Sequence, residues 1–163
     1  MPVHLLEIND EALGRPDRHL EKAARPWQLL ARCSDASPDS CLLLQQLVFL
    51  ARQNKADGRA ALAALDKLIQ VAAKGMPLEN FYDKKQSHEL HTFHYKGQRR
   101  VIWRLRKNDI RLAFYYAEGR VIFLADAFPK RQDKLTAAEK TRLEEEVRIY
   151  IDAESAGQLQ VLS

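Results

Sequence analysis

Basic and aromatic side chains are concentrated in one stretch of the chain, between residues 84 and 131. This stretch holds twelve basic and four acidic residues, although the net charge of all 163 residues is only +4. It also holds eight of the thirteen aromatic residues. A guanidinium group can bind two phosphate oxygens through two parallel hydrogen bonds, and aromatic rings stack on bases. The composition therefore indicates a polyanionic partner, and an ordinary solvated sheet face is the competing interpretation.

The alternation of side chains along a strand brings several of these residues together. Residues 100–107 and 109–116 have the composition of two neighbouring strands, with arginines and a tyrosine on one face of the pair. Two further basic residues follow the next strand and can reach the same side. The residues of this predicted basic face are Arg104, Arg106, Arg111, Tyr115, Lys130 and Arg131.

Three histidines, His88, His91 and His94, are spaced three residues apart. On a regular strand His88 and His94 face one way and His91 faces the other, so the three cannot bind a single metal ion. No cysteine or carboxylate accompanies them at the spacing of a zinc site. We interpret them as surface or packing residues rather than metal ligands, and we expect neither a metal nor a cofactor.

The order of helical and extended patterns predicts an α+β fold. Two helices, near residues 38–53 and from Asp57 to Gly75, are joined by a short loop and should form an antiparallel hairpin. Four strands and a helix that begins at Thr136 with a capping box should follow. Short turns between the strands require antiparallel pairing. The four predicted strands are residues 88–95, 100–107, 109–116 and 120–128.

The two ends of the chain are less informative than its middle. Residues 1–37 predict a short helical extension, and residues 153–163 predict either a tail or a short edge strand. Residues 38–152 then form the main domain. The sequence contains no apolar run near the roughly 20 residues that span a bilayer, and its first residues lack the pattern of a secretory signal. We therefore expect a cytoplasmic protein that does not enter membranes.

Four consecutive segments resemble the core of the RelE/ParE toxin superfamily, and most closely its HigB-like, phage-derived branch. The segments are Val101–Arg106, Ile110–Tyr116, Gly119–Leu124 and Ala127–Arg131. The predicted helical hairpin before them and the predicted helix after them follow the order of that family. The resemblance covers about residues 40–152.

The resemblance implies a RelE-like fold, in which a helical hairpin packs on a twisted four-stranded antiparallel sheet with a C-terminal helix. It also implies the toxin of a type II toxin–antitoxin system, which cleaves mRNA on the ribosome without a metal and is neutralised by a cognate antitoxin. A ParE-like inhibitor of DNA gyrase is one alternative. A non-catalytic module that binds RNA or protein is the other.

The resemblance also implies roles for individual residues. Arg106 and Arg111 match arginines that would stabilise the charge of a pentacoordinate phosphorane, for which a bidentate, permanently charged group is suited. Tyr115 and Lys130 match an aromatic and a basic residue of that family. These two residues and the histidines are the candidates for proton transfer. Three further basic residues, Arg104, Lys107 and Arg131, are expected to bind RNA.

Overall fold

The chain folds as one seven-stranded mixed sheet with three α-helices, in a computed structural model that describes residues 1–130 and 134–163. The strands are β1 (Val3–Glu7), β2 (Gln28–Cys33), β3 (Ser87–Tyr95), β4 (Gln98–Lys107), β5 (Ile110–Ala117), β6 (Val121–Pro129) and β7 (Leu159–Leu162). The helices are α1 (Leu42–Gln53), α2 (Lys55–Lys74) and α3 (Ala137–Ser155). None of these three helices is long and apolar enough to cross a bilayer.

The strands lie in the order β3-β4-β5-β6-β2-β1-β7. The four predicted strands are present as β3 to β6, and each is antiparallel to the next. The β2–β6 and β1–β7 pairs are parallel. The prediction of a four-stranded antiparallel, RelE-like sheet is therefore wrong, and so is the helical N-terminal extension, because the two ends of the chain supply three more strands.

The sheet extends beyond β6 because this strand is apolar on both faces. Its first four residues, Val121–Leu124, are all buried. The backbone groups of such a strand are shielded from water on both faces, so they need a neighbouring strand on each edge. β5 fills one edge, and β2 fills the other with the parallel pairs Leu29↔Ile122 and Ala31↔Leu124. The segment before β2 is interrupted by prolines, so the pattern of neighbouring residues does not predict this strand.

The α1–α2 hairpin covers one face of the sheet. Leu65 and Leu68 of α2 pack in the same cluster as Leu105, Leu112 and Phe114 of the central strands. The two helices approach closely, since a Cβ atom built at Gly58 would lie 2.6 Å from both Cα and Cβ of Ala51. The predicted C-terminal cap of α2 is confirmed, because Gly75 adopts a left-handed conformation with φ of 69°.

The opposite face is covered by α3. Its predicted capping box is confirmed by reciprocal hydrogen bonds between Thr136 and Glu139. Leu143 and Val147 pack against Ile102 and Ala113 of the sheet. By strand alternation this is the face of the predicted arginines. The basic face is therefore not an open concavity, because α3 covers part of it.

Candidate functional site

A basic cleft lies between the first half of β3, the end of β4 and the beginning of α3. It has a volume of about 570 Å³, which is within the usual range of ligand sites. Its apolar walls include Phe128 and Leu135. The side chains that give the cleft its chemistry are Arg104, Lys130, Lys134, Lys140, His88 and His91.

An irregularity in β3 places two histidines in the basic cleft. His88 pairs with Arg104 and His91 pairs with Ile102, while the register shifts between Glu89 and His91. Cross-strand partners share a face, so this bulge turns His88 and His91 to the same side. His94 pairs with Arg99 on the other face. The predicted separation of His88 from His91 is therefore wrong, because it assumed strict alternation.

The imidazole of His91 is held by a carboxylate from α3. Nε2 of His91 lies 2.7 Å from Oε2 of Glu144, and the His91 side chain is only 16% exposed. The ring is also stacked on Phe93, with 6.2 Å between centroids. Glu144 accepts a second hydrogen bond from Arg148. When Nε2 carries the proton shared with Glu144, Nδ1 of the neutral ring is free to act as a base.

Arg104 is the arginine that lines the basic cleft. Its Nη1 donates to the carbonyl oxygen of Lys85 at 2.9 Å, which fixes the guanidinium while leaving other N–H groups for a ligand. Burial, and then the nearby charge of Arg106, lower the pKa of Arg104. An arginine remains charged in spite of such a shift. The repulsion between these positive charges is relieved when an anion binds beside them.

Arg106 and Arg111 form a cross-strand pair next to Arg104. The two residues are directly opposite each other in the β4–β5 ladder. Arg106 is exposed, whereas Arg111 is 7% exposed and donates from Nη1 to the carbonyl oxygens of Asn108 and Ile110. Burial, followed by repulsion from Arg104 and Arg106, lowers the pKa of Arg111. Arg111 therefore adds to the positive potential of this surface, but its side chain is too buried to contact a ligand directly.

The other predicted site residues are more dispersed. Lys130 lines the basic cleft, and its backbone N–H donates to the carbonyl of Asp109. Tyr115 is four residues along β5 from Arg111, about 13 Å at the rise of a strand, and its hydroxyl accepts from Arg100. Lys107 is exposed, and strand alternation directs it to the opposite face from Arg106. Arg131 lies outside the described residues.

The histidines were among the predicted candidates for proton transfer, whereas Glu144, Lys134 and Lys140 had no predicted catalytic or RNA-binding role. The acidic run of α3 has the pattern of a solvated helix face, yet Glu144 binds His91 and Glu146 forms a bidentate ion pair with Arg32 at 2.6 and 2.9 Å. The spacing of the histidines can be read from the sequence, but His88 and His91 share a face only because of the bulge in β3. Lys134 and Lys140 become relevant only because α3 begins beside the edge of the sheet.

The basic cleft combines anion-binding cations with an imidazole that can move a proton. Among residues 1–130 and 134–163, no three histidine, cysteine, aspartate or glutamate side chains are placed to hold one metal ion. The arrangement can bind a phosphodiester and can exchange protons with hydroxyl groups next to it. Comparison of the chain with known proteins finds no matching family model and no curated protein of significant sequence similarity.

Proposed function

We propose that this protein is an endoribonuclease that cleaves mRNA in the cytoplasm, as the toxin of a toxin–antitoxin pair. The observation that carries the proposal is the carboxylate-bound imidazole of His91 in a cleft that also holds Arg104, Lys130, Lys134 and Lys140. Cations of this kind bind the RNA backbone, and the imidazole supplies the proton acceptor that cleavage of a phosphodiester requires.

The reaction uses the 2′-hydroxyl of the RNA as its nucleophile. Nδ1 of His91 accepts the proton of this hydroxyl while the oxygen bonds to the adjacent phosphorus. The bond between phosphorus and the 5′-oxygen then breaks, and the Lys130 ammonium donates a proton to the departing oxygen. The products are a 2′,3′-cyclic phosphate and a 5′-hydroxyl. Glu144 stabilises the imidazolium that forms, as a carboxylate does beside other catalytic histidines.

The basic side chains of the cleft stabilise the charge that builds up on the phosphorane. Arg104 offers two N–H groups in a fixed geometry, and its position is already set by the Lys85 carbonyl. A group that is pre-positioned loses little entropy when the transition state forms. Arg106 and Arg111 add to the positive potential from the adjoining part of the sheet.

An antitoxin and the ribosome are the partners in this proposal. A cleft with four basic side chains attracts RNA of any sequence, so an uncontrolled enzyme would damage the cell. We expect the antitoxin to cover the basic cleft with an acidic segment. Co-expression with the adjacent reading frame, followed by purification through a tag on either protein, should recover both chains. Isolation of a harmless single chain would contradict this part of the proposal.

The proposed activity is tested by induced expression in a bacterial host, with growth and the 5′ ends of transcripts as readouts. The wild-type protein should arrest growth and create new transcript ends within coding regions. The double variant Arg104→Ala/Lys130→Ala should do neither, because both residues line the basic cleft. Loss of one stabilising donor typically slows a reaction about 10²- to 10³-fold.

Lys107→Ala is the matched control, since this exposed lysine belongs to the same strand but to the other face. It should arrest growth as the wild type does. If the double variant is expressed in folded form and still produces the same transcript ends, the basic cleft is not the site of cleavage.

A further inference from the structure

A second pocket lies on the other face of the sheet, beneath the end of α2. It has a volume of about 640 Å³, and its lining is mainly apolar. We call it the aromatic pocket, and its defining side chains are Trp27, Leu78, Tyr82, Trp103 and Tyr116. None of these five residues is a predicted site residue, and none takes part in the proposed reaction.

The rings of the aromatic pocket are held in fixed orientations around Tyr116. The Tyr116 ring lies 5.6 Å from Trp27 and 6.0 Å from Trp103, between centroids. The indole N–H of Trp27 donates to the carbonyl of Met76 at 2.9 Å. Burial, and then the nearby Glu79 carboxylate, raise the pKa of Tyr116 to about 12. Its hydroxyl therefore stays protonated at neutral pH and can donate to a ligand.

Tyr82 provides an independent indication that something binds in this pocket. Its side chain lines the pocket and the residue is 8% exposed, yet its hydroxyl has no hydrogen-bond partner among the described residues. Buried hydroxyl groups are normally satisfied, and an unsatisfied one costs free energy. Tyr82 is therefore a hydrogen-bonding group in the wall of the pocket that no described residue satisfies.

The charges around the pocket favour a neutral planar ligand over a cation. Aromatic pockets also bind alkylammonium groups, through the faces of their rings. Here Arg120 already lies over the Trp27 ring at 4.5 Å, and Lys67 lies over the Tyr82 ring at 4.2 Å. Lys84 is a third cation near the pocket, whose lining also includes the carboxylates of Glu79 and Asp83. A further cation would be repelled, whereas a nucleobase would not.

The edge strand β3 connects this pocket to the basic cleft. Ser87 lines the aromatic pocket, and the next residue, His88, lines the basic cleft. Lys84 belongs to the pocket, while the carbonyl of Lys85 holds Arg104 in the cleft. The two sites therefore meet across the beginning of one strand. Surfaces that bind single-stranded RNA combine basic and aromatic residues in this way.

We propose that the aromatic pocket binds a nucleobase of the same RNA strand whose phosphodiester enters the basic cleft. This inference rests on the proposed function for the identity of the strand, but the binding of a base can be measured without cleavage. The RNA would pass over the edge of β3, with Lys84 and Lys85 beside its backbone. A base held there would align the strand in the cleft.

The test is a fluorescence titration with adenosine, which carries a base but no phosphate. The chain has two tryptophans, and both line the pocket, so their emission reports binding directly. Adenosine should quench this emission to saturation, and tetramethylammonium chloride should not. Tyr116→Leu should weaken the binding of adenosine about fivefold or more, the usual effect of losing a stacking ring. Tyr116→Phe, which keeps the ring, should retain most of it.

Arg104→Ala is the control that separates this inference from the proposed function. It should slow RNA cleavage about 10²- to 10³-fold and leave the adenosine titration unchanged, because Arg104 lies on the other face of the sheet. Cleavage by the wild type without any response to adenosine would overturn the inference alone. A response to adenosine without cleavage of RNA would overturn the proposed function alone. A stronger response to tetramethylammonium than to adenosine would identify a cation site instead.

A second measurement on the wild-type protein does not depend on the folding of a variant. In the NMR spectrum the indole N–H resonances of Trp27 and Trp103 should shift when adenosine is added, and the amides of β7 should not. Shifts confined to the residues of the basic cleft would place the base there and overturn the inference.

Discussion

The pair formed by His91 and Glu144 is the smallest unit on which the proposed chemistry depends. The carboxylate fixes the orientation of the imidazole, and the stacking on Phe93 prevents the ring from turning. An imidazole held in this way presents its other nitrogen without further loss of side-chain entropy. Glu144 acts through His91, so we regard it as a positioning residue.

Replacement of Glu144 by glutamine keeps the shape of the side chain and removes its charge. Cleavage of RNA should slow by up to about 10⁴-fold, because an amide beside a catalytic histidine favours the wrong tautomer of its ring. A fluorescent RNA under single-turnover conditions measures the rate, and affinity for the RNA should change little. Glu145→Gln is the matched control, because Glu145 is exposed on the same helix. Equal rates for the two variants would show that Glu144 has no positioning role.

The residues of the site differ in how far the sequence could predict them. The arginines of β4 and β5 share a face because alternation is regular there, and alternation can be read directly. The common face of His88 and His91 depends on a bulge at Leu90, which no local pattern indicates. Glu144 is separated from His91 by 53 positions, so their contact follows only from the docking of α3.

At the scale of elements, the two layers of helices hold the sheet between them, and their contacts differ in kind. The α1–α2 hairpin packs through apolar side chains and a close backbone approach at Gly58. α3 adds ion pairs to its apolar contacts, among them Arg32–Glu146 and Arg142–Asp126. Burial raises the pKa of Asp126 in spite of the nearby charge of Arg142.

The close approach of the two hairpin helices predicts an unusual result for Gly58→Ala. In a helix this change normally stabilises a protein by about 1 kcal/mol. Here the new Cβ would lie 2.6 Å from the Cα and Cβ of Ala51, and overpacking of this kind costs about 1–3 kcal/mol. Urea unfolding should therefore show a loss of stability. Arg59→Ala, at an exposed neighbouring position, should stay within about 0.5 kcal/mol of the wild type. A more stable Gly58→Ala variant would show that the helices are not in close contact.

The local elements of the fold were easier to predict than their arrangement. Strands β3 to β6 follow from alternation and from short turns, such as the one at Lys96 and Gly97 where both residues have positive φ. The sheet was predicted with too few strands because β2 pairs with β6, more than 80 residues later in the chain. Such a pairing is specified by the burial of both faces of β6, not by any pattern within β2.

At the scale of the whole molecule, both ends of the chain are built into the sheet. β7 pairs in parallel with β1, and β1 pairs with β2, so the first and last strands extend the sheet beyond β2. α3 leads directly into β7 and is attached to the turn between β3 and β4 through Asp152. The ionised carboxylate of Asp152 therefore contributes to the pH dependence of stability.

Asp152 provides the clearest test of that dependence. Hydrogen bonds from Lys96 and Tyr95 lower the pKa of Asp152 below the ordinary value of 3.8. A lowered carboxylate pKa gives stability that is present above the unfolded pKa and is lost as the pH falls through the folded one. Asp152→Asn should therefore be less stable than the wild type at neutral pH, and this difference should disappear in acid. Urea unfolding over a series of pH values measures it.

The control for this experiment is Asp17→Asn, at an exposed position near the other end of the chain. It should match the wild type within about 0.5 kcal/mol at every pH. A difference between Asp152→Asn and the wild type that stays constant from neutral to strongly acidic pH would exclude the ionised carboxylate as its source.

If the basic cleft cleaves RNA by activating a 2′-hydroxyl, the reaction leaves characteristic chemical groups at the ends of its products. Purified protein is incubated with an mRNA fragment and ribosomes, and the termini are identified by mass spectrometry. The wild type and His94→Ala, whose histidine faces away from the cleft, should both yield 2′,3′-cyclic phosphates and 5′-hydroxyls. His91→Ala should cleave about 10²- to 10⁴-fold more slowly. Intact RNA with the wild type, or equal cleavage by His91→Ala, would contradict this mechanism.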